Sequence, residues 1–314
     1  MHLHRNEYTF GPCTAAGRRL GAILLLAAVA FSGCKKKTQT ESSAGSQEMV
    51  SIQNIGSDTM VQVAQAWAEA YAEVEPNVSI EVSGGGSGVG AAALINGTAD
   101  IANASRKLKA EEIEKAKETS GHEPKEFVVG FDGMAVYVHK DNPIEEISVE
   151  ELAGIYGESG KITTWANLGV KGIPGAKSDE IIRVSRQNNS GTYAYFREAI
   201  LGEDQDFKHG SMDMNGSKDV VELVGKTPGA IGYSGLGYAT PAVKIVQVSP
   251  KKGEPGVMPT IATVLDKSYP IARPLLMYTP GQPSEAARKY LDWIMSPTGQ
   301  KIVEDTGYVP LPKQ

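Results

Sequence analysis

At 314 residues the chain is long enough to bury a substantial core or to divide into two lobes. Its 22% charged and 7% aromatic residues are ordinary for a soluble globular protein, and a formal charge of −6 argues against a nucleic-acid binder. The only cysteines are Cys13 and Cys34, so the chain beyond them has no disulfide, thiolate metal site or thiol nucleophile.

The N-terminus has its own pattern. Arg18 and Arg19 precede an apolar run from Leu20 to Phe31, followed by Ser32-Gly33-Cys34. The run is too short to span a bilayer comfortably and has the charged, apolar, small-residue order of a secretory signal. A cysteine directly after a small residue at that border resembles a bacterial lipoprotein signal. Residues 1–33 are then the signal peptide, Cys34 is lipidated, and 34–48 form a flexible tether rich in Lys, Ser, Thr and Gln. Phe31 departs from the small or aliphatic residue usual three places before such a cysteine. The polar stretch before Arg18 fits a start codon placed too early. Removing residues 1–33 takes away Arg5, Arg18, Arg19 and Glu7, so the formal charge falls from −6 to −8.

From Ser51 onward, strand-like and helical segments alternate, which predicts an α/β architecture. Val50 to Ile55 reads as a strand. Met60, Val63, Ala64, Trp67, Tyr71 and Val74 form a helical stripe stopped by Pro76. Val78 to Val82 alternates like a strand, Val89 to Ile95 is a short helix ended by Gly97, and Asp100 to Ala104 is a strand. Ala110 to Thr119 reads as an exposed helix. Phe127 to Val138 holds two apolar runs around Asp132-Gly133. Val149 to Tyr156 and Tyr193 to Leu201 read as helices, with a strand at Ile181 to Val184 between them. Ala230 to Tyr233 and Ile245 to Val248 are strand-like, and Ser284 to Met295 opens a terminal helical region.

Two lobes are expected, one from 49–134 with 235–314 and the other from 135–234. The crossings are placed near Met134 to Val138 and Ile231 to Tyr233, so that loops at strand C-termini face each other across a cleft.

Three polar loops stand out: Gly56-Ser57-Asp58-Thr59, Gly86-Ser87-Gly88-Val89-Gly90, and Arg186-Gln187-Asn188-Asn189-Ser190-Gly191-Thr192. Each runs into a helical stretch, whose first N–H groups are unpaired and carry the positive end of the helix dipole. Glycine permits close backbone approach, and Ser or Thr adds a hydroxyl donor. Singly, such residues are ordinary helix caps. Together, with an arginine beside two of them, they point to a small oxyanion such as phosphate.

With those loops in place, the chain from Val50 to Leu311 resembles the phosphate-binding proteins of bacterial phosphate ABC transporters. These are extracytoplasmic receptors with a two-lobed periplasmic-binding-protein fold, each lobe a mixed sheet flanked by helices, joined by two crossover strands. The resemblance also rests on Asp100 to Arg106, Phe131-Asp132-Gly133-Met134-Ala135-Val136, Phe196, and Pro228-Gly229-Ala230-Ile231-Gly232-Tyr233. It implies phosphate contacts from Ser57, Thr59, Ser87, Arg186, Ser190, Gly191 and Thr192, and Asp58, Ser105, Arg106 and Asp132 are added as candidates beside them. It also implies hinge closure, a monomeric receptor held to the lipid bilayer through Cys34, and delivery to ABC permease subunits. Many members have Ala-Ser-Asp where this chain has Ala104-Ser105-Arg106, so the carboxylate that accepts the phosphate proton is assigned to Asp132. Monohydrogen phosphate can donate to it; sulfate cannot.

Bland alternatives stand beside these readings. Ser57 or Asp58 serves equally as a cap, Asp132-Gly133 as a turn, and Arg106 as a surface or salt-bridging arginine. Tyr193, Tyr195 and Phe196 read as core. No Gly-Lys-Ser/Thr follows the glycines to make a nucleotide loop. His122, His139 and His209 lack metal-ligand spacing, so neither cofactor nor metal is expected. Sulfate, molybdate or tungstate is the alternative ligand, and a secreted phosphatase is the alternative class.

Overall fold

A computed structural model describes residues 49–202 and 204–312. The expected signal peptide, Cys34 and tether lie outside the described residues. Eleven strands are built into two sheets: β1 (Val50–Gly56), β2 (Val78–Ser83), β3 (Ile101–Ala104), β4 (Lys125–Gly133), β5 (Ala135–His139), β6 (Glu146–Ser148), β7 (Ile182–Arg186), β8 (Met212–Met214), β9 (Ala230–Ser234), β10 (Val243–Ser249) and β11 (Ala272–Thr279). The first sheet has the order β2-β1-β3-β11-β4 and the second β6-β10-β5-β9-β7-β8. Both are mixed: β1 is parallel to β2 and β3, while β11 runs antiparallel to β3 and β4.

Helices cover both sheets: α1 (Val61–Ala72), α2 (Ser87–Ile95), α3 (Ala110–Ser120), α4 (Val149–Tyr156), α5 (Gly191–Phe196), α6 (Ser217–Lys226), α7 (Ile261–Leu265), α8 (Glu285–Ile294) and α9 (Pro297–Asp305). Their placement follows from their apolar faces. In α1, Val63, Ala64, Trp67 and Tyr71 are buried on one stripe and pack with Tyr290 and Leu291 of α8 beneath the first sheet. The Trp67 indole N–H donates to the Gly299 carbonyl of α9 at 2.8 Å. In the second unit, Trp165, Tyr156, Phe196 and Tyr233 form an aromatic core, with Phe196 stacked on Tyr233 at 3.7 Å between ring centroids.

The chain passes from the first sheet to the second at the β4–β5 junction around Met134. The crossing expected at Ile231 to Tyr233 does not fall there. β10 pairs with β5 and β6, so residues 243–249 belong to the second sheet, and the chain returns to the first only at β11. The lobe boundary expected at 235 therefore moves to Ile271–Ala272, where the Met134 N–H donates to the Ile271 carbonyl at 3.0 Å. β9, the expected crossing, is buried along its length and paired on both sides. Its continuous apolar run marks a central strand rather than a bridge.

β11 carries Pro274, yet lies between β3 and β4. Opposite it, Phe131 exchanges both of its backbone hydrogen bonds with Val309, so the missing proline N–H leaves no partner unpaired there.

Closeness of α2 to the sheet depends on Gly90. A Cβ at that position would sit 2.8 Å from the Ile55 carbonyl oxygen and 2.9 Å from Gly56 Cα, both backbone atoms. Gly90→Ala is expected to lower the thermal unfolding midpoint, costing about 1–3 kcal/mol by overpacking. An unshifted melt would mean that α2 can lift off the sheet freely.

Candidate functional site

The C-terminal ends of β1, β3 and β7 and the β2–α2 loop open into one region. After β1 the chain turns sharply, with the Ser57 N–H donating to the Asn103 carbonyl at 2.9 Å and the Met60 N–H to the Ser57 carbonyl at 2.9 Å. After β2, Gly85 and Gly86 have φ of 114° and 99°, which turns the backbone so that α2 starts at Ser87. After β7, Ser190 caps α5, its Oγ accepting from the N–H groups of Thr192 at 3.1 Å and Tyr193 at 3.4 Å.

These ends bring a set of hydroxyls together. Ser57 Oγ donates to Ser105 Oγ at 2.8 Å, and the Ser105 N–H donates to Ser87 Oγ at 3.0 Å. Thr59 and Thr192, from opposite units, share a hydrogen bond of 2.9 Å between hydroxyls. Gly191 fits only because it has no side chain: a Cβ there would lie 2.2 Å from Ser87 Oγ and 2.6 Å from Ser105 Oγ. Ser57, Thr59, Ser87, Ser105, Ser190 and Thr192 are all at most 2% exposed.

Across the seam between the units, the Gly88 N–H donates to the Asn189 carbonyl at 2.9 Å, and the Asn189 amide returns a bond to the Gly85 carbonyl at 2.9 Å. Asp58 does not reach the hydroxyls. Its Oδ1 accepts the Gly85 N–H at 2.8 Å and its Oδ2 accepts Arg186 Nη2 at 2.8 Å, making an ion pair from the first unit to the second. Tyr238 donates its hydroxyl to the Asp58 carbonyl at 2.6 Å. Burial, with the Asp58 carboxylate nearby, pushes the Tyr238 phenol up to about 12.

Arg186 is almost wholly buried and also binds Met214 O, Ser217 Oγ and Asn215 O. Burial draws its pKa below the ordinary arginine value, and the positive charge of Arg273 adds to this, while Asp58 opposes it.

Asp132 was expected to offer a free carboxylate. Instead both its oxygens are engaged: Oδ2 accepts Arg273 Nη2 at 2.7 Å and Nε at 3.0 Å, and Oδ1 accepts the Leu236 N–H at 2.9 Å. Arg273, absent from the sequence reading, is fully buried, and its guanidinium lies 5.6 Å from the Tyr195 ring centroid. Its Nη2 reaches Thr192 Oγ1 at 3.0 Å and Thr59 Oγ1 at 3.3 Å, and its Nη1 reaches the Ser105 carbonyl at 3.2 Å. The one available signal was a charged residue entering the apolar run Leu275-Leu276-Met277.

Arg106 turns away from the hydroxyls. Its guanidinium grips Glu112 through two bonds of 2.7 Å, which favours the bland salt-bridge reading. Phe196 is core, as expected, whereas Tyr193 and Tyr195, also read as core, are only part-buried.

Chemically, the site is a buried collection of hydroxyls, backbone amides and two guanidinium groups, each guanidinium matched by an aspartate. Among the described residues no hydrogen bond joins these hydroxyls to a histidine. The described residues contain no group of three or more His, Cys, Asp or Glu able to hold a metal ion, and no helix long and apolar enough to cross a membrane.

Two mixed α/β units, joined by two adjacent strands and meeting over such a cluster, define a bilobal solute-binding protein. Residues 38–298 match the PBP superfamily domain. The chain is 35% identical over 273 residues to the phosphate-binding protein PstS of Pseudomonas aeruginosa, with 83% of each chain covered. It is 32% identical over 291 residues to PstS of Bacillus subtilis, covering 92% of this chain and 90% of that one. A Clostridium perfringens structure described as a phosphate ABC transporter substrate-binding protein with bound phosphate superposes with a TM-score of 0.73 at 31% identity, over 83% of this chain and all of that one. The chain therefore belongs to the PBP superfamily and, within it, to the PstS family of phosphate-binding proteins, a family of binding proteins rather than enzymes.

Arg106 and Glu112 carry a pH dependence. Burial raises the Glu112 carboxyl, but the bonds from Arg106 and the Lys109 N–H outweigh it and hold the pKa below its ordinary 4.5. The folded pKa being the lower one, this stabilisation is complete above 4.5 and is lost as pH falls through the folded value. Arg106→Ala is expected to flatten that part of the acid-stability curve in thermal melts, and an unchanged curve would remove the pair as its source.

Proposed function

We propose that this chain is an extracytoplasmic receptor that captures inorganic phosphate by closing its two units around the anion and presents it to an ABC permease. The observation that carries the reading is the convergence of Ser57, Thr59, Ser87 and Ser105 from one unit with Ser190, Gly191 and Thr192 from the other. A tetrahedral oxyanion stripped of water needs a donor for nearly every lone pair, and rotatable hydroxyls beside backbone amides supply them. Micromolar affinity corresponds to roughly 8 kcal/mol, and charge-assisted bonds of about 1.5–3 kcal/mol each can reach it after association costs.

The moving bodies are 49–133 with 272–312 and 135–271, and contacts from both favour closure when the ligand is present. Asp58 and Arg186 act as a latch across the seam, and Arg186 retains one uncommitted N–H for the ligand. Asp132 Oδ1 spends one lone pair on Leu236 and has another for the phosphate proton. That lone pair opposes an anion that has no proton to give. The receptor works as a monomer without cofactor, held to a bacterial membrane by lipid on Cys34. The 34–48 tether lets it reach its permease.

Calorimetric titration of the purified protein, freed of bound anion, is expected to give one-to-one binding of phosphate and no heat with sulfate. Sulfate or molybdate binding in its place would overturn the ligand, and turnover of a chromogenic phosphate ester would overturn the class. Asp132→Asn is expected to admit sulfate. Asp58→Asn is expected to speed phosphate release about tenfold in stopped-flow measurements, from loss of one charge-assisted bond across the seam.

A further inference from the structure

Arg186 is the guanidinium that the family pattern assigns to phosphate, yet its donors are largely spent. Nε goes to the Met214 carbonyl at 3.3 Å, Nη1 to Ser217 Oγ at 3.0 Å, and Nη2 to the Asn215 carbonyl at 2.6 Å and to Asp58 at 2.8 Å. Of five N–H groups one is left, too few for a two-point grip. Arg106 is bound at both ends of its fork by Glu112.

Arg273 also keeps one uncommitted N–H, on Nη1, whose other hydrogen goes to the Ser105 carbonyl at 3.2 Å, but it is placed differently. Asp132 holds its Nε and one Nη2 hydrogen, which fixes the plane of the fork. The other Nη2 hydrogen is shared between Thr59 Oγ1 at 3.3 Å and Thr192 Oγ1 at 3.0 Å, and those hydroxyls are 2.9 Å from each other. Thr59 belongs to the first unit, Thr192 to the second, and Arg273 to the strand that joins them. A shared hydrogen makes two weakened bonds. An oxyanion oxygen arriving at this point would take that hydrogen whole. Both threonine hydroxyls, free to rotate, would donate to the same oxygen.

We propose that Arg273 is a second ligand-contacting guanidinium and a determinant of anion affinity, offering its Nη2 hydrogen to the phosphate oxygen that Thr59 and Thr192 also hold. The assignment rests on the phosphate reading above. One oxygen then ties together the first unit, the second unit and the crossing strand. Asp132 is the positioning residue: it orients the fork and offsets its charge. The two members of the pair accordingly act differently: Arg273 attracts any oxyanion, while Asp132 accepts from one that carries a proton and repels one that does not.

That opposition supplies the test. Phosphate is titrated calorimetrically into the wild-type protein and the Arg273→Gln, Arg273→Lys and Asp132→Asn variants, each checked for folding by circular dichroism and melting. Arg273→Gln is expected to weaken phosphate binding by roughly 10- to 100-fold, the range for a lost charged hydrogen bond. Arg273→Lys keeps the charge without the fork and is expected to lose about tenfold. Asp132→Asn, titrated with sulfate as well, is expected to bind it, which neither Arg273 variant does. If Arg273→Gln does not fold, Arg273→Lys decides the matter.

A purely structural pair would leave the preference for phosphate over sulfate unchanged in every variant, and that result overturns the assignment, as does wild-type affinity in Arg273→Lys. Wild-type protein that binds no phosphate would overturn the receptor reading itself, and that failure is told apart because no variant is needed to see it.

Discussion

The ion pair of Asp132 and Arg273 lies fully buried at the register position where β4 and β11 face each other, just before one strand leaves the first unit and just after the other returns to it. Both chain crossings between the units pass beside this pair. Burying two charges costs several kcal/mol per ion, and their attraction recovers this only when geometry and additional hydrogen bonds are good. Here the Leu236 N–H, the Ser105 carbonyl and the hydroxyls of Thr59 and Thr192 complete the set. Such a pair is weak support for stability by itself. In this fold it places charge at the junction and binds three separate pieces of chain to it.

Around that centre the structure separates two tasks that arginines often share. Arg186 spends its donors on the seam and on backbone carbonyls near α6, so its charge serves the approach of the two units. Arg273 is turned toward the hydroxyls. Each guanidinium is balanced by one aspartate, so the assembly carries no formal charge excess to draw an anion from a distance. The chain as a whole is negative as well. Capture must therefore come from short-range donors and dipoles, which act only on an anion already between the loops.

Much of this was legible in the sequence, and the failures have physical causes. The loops at Ser57, Ser87 and Ser190 declared themselves because glycine and small hydroxyl residues had to precede helices, a local requirement. Helix stripes such as Val63, Ala64, Trp67 and Tyr71 were visible for the same reason. The second crossing was misplaced because β9 is apolar on both faces, and a strand central to its sheet reads like one bridging two lobes. β11 was passed over because Pro274 interrupts it; only the pairing of Phe131 with Val309, 178 residues downstream, makes that proline harmless. Asp58 read as a ligand, but its partner lies 128 residues away. Arg273 had no local signal comparable to a glycine loop, since its role comes from tertiary neighbours alone.

The two crossings are not independent tethers. β4 and β11 are neighbours throughout their paired length, and the Met134 to Ile271 hydrogen bond continues the ladder to the edge of the second unit. Sliding of one strand past the other would break that ladder, and β11 is held on its far side by β3 as well. Mechanically the molecule is therefore closer to a book on a cloth spine than to two beads on a pair of strings.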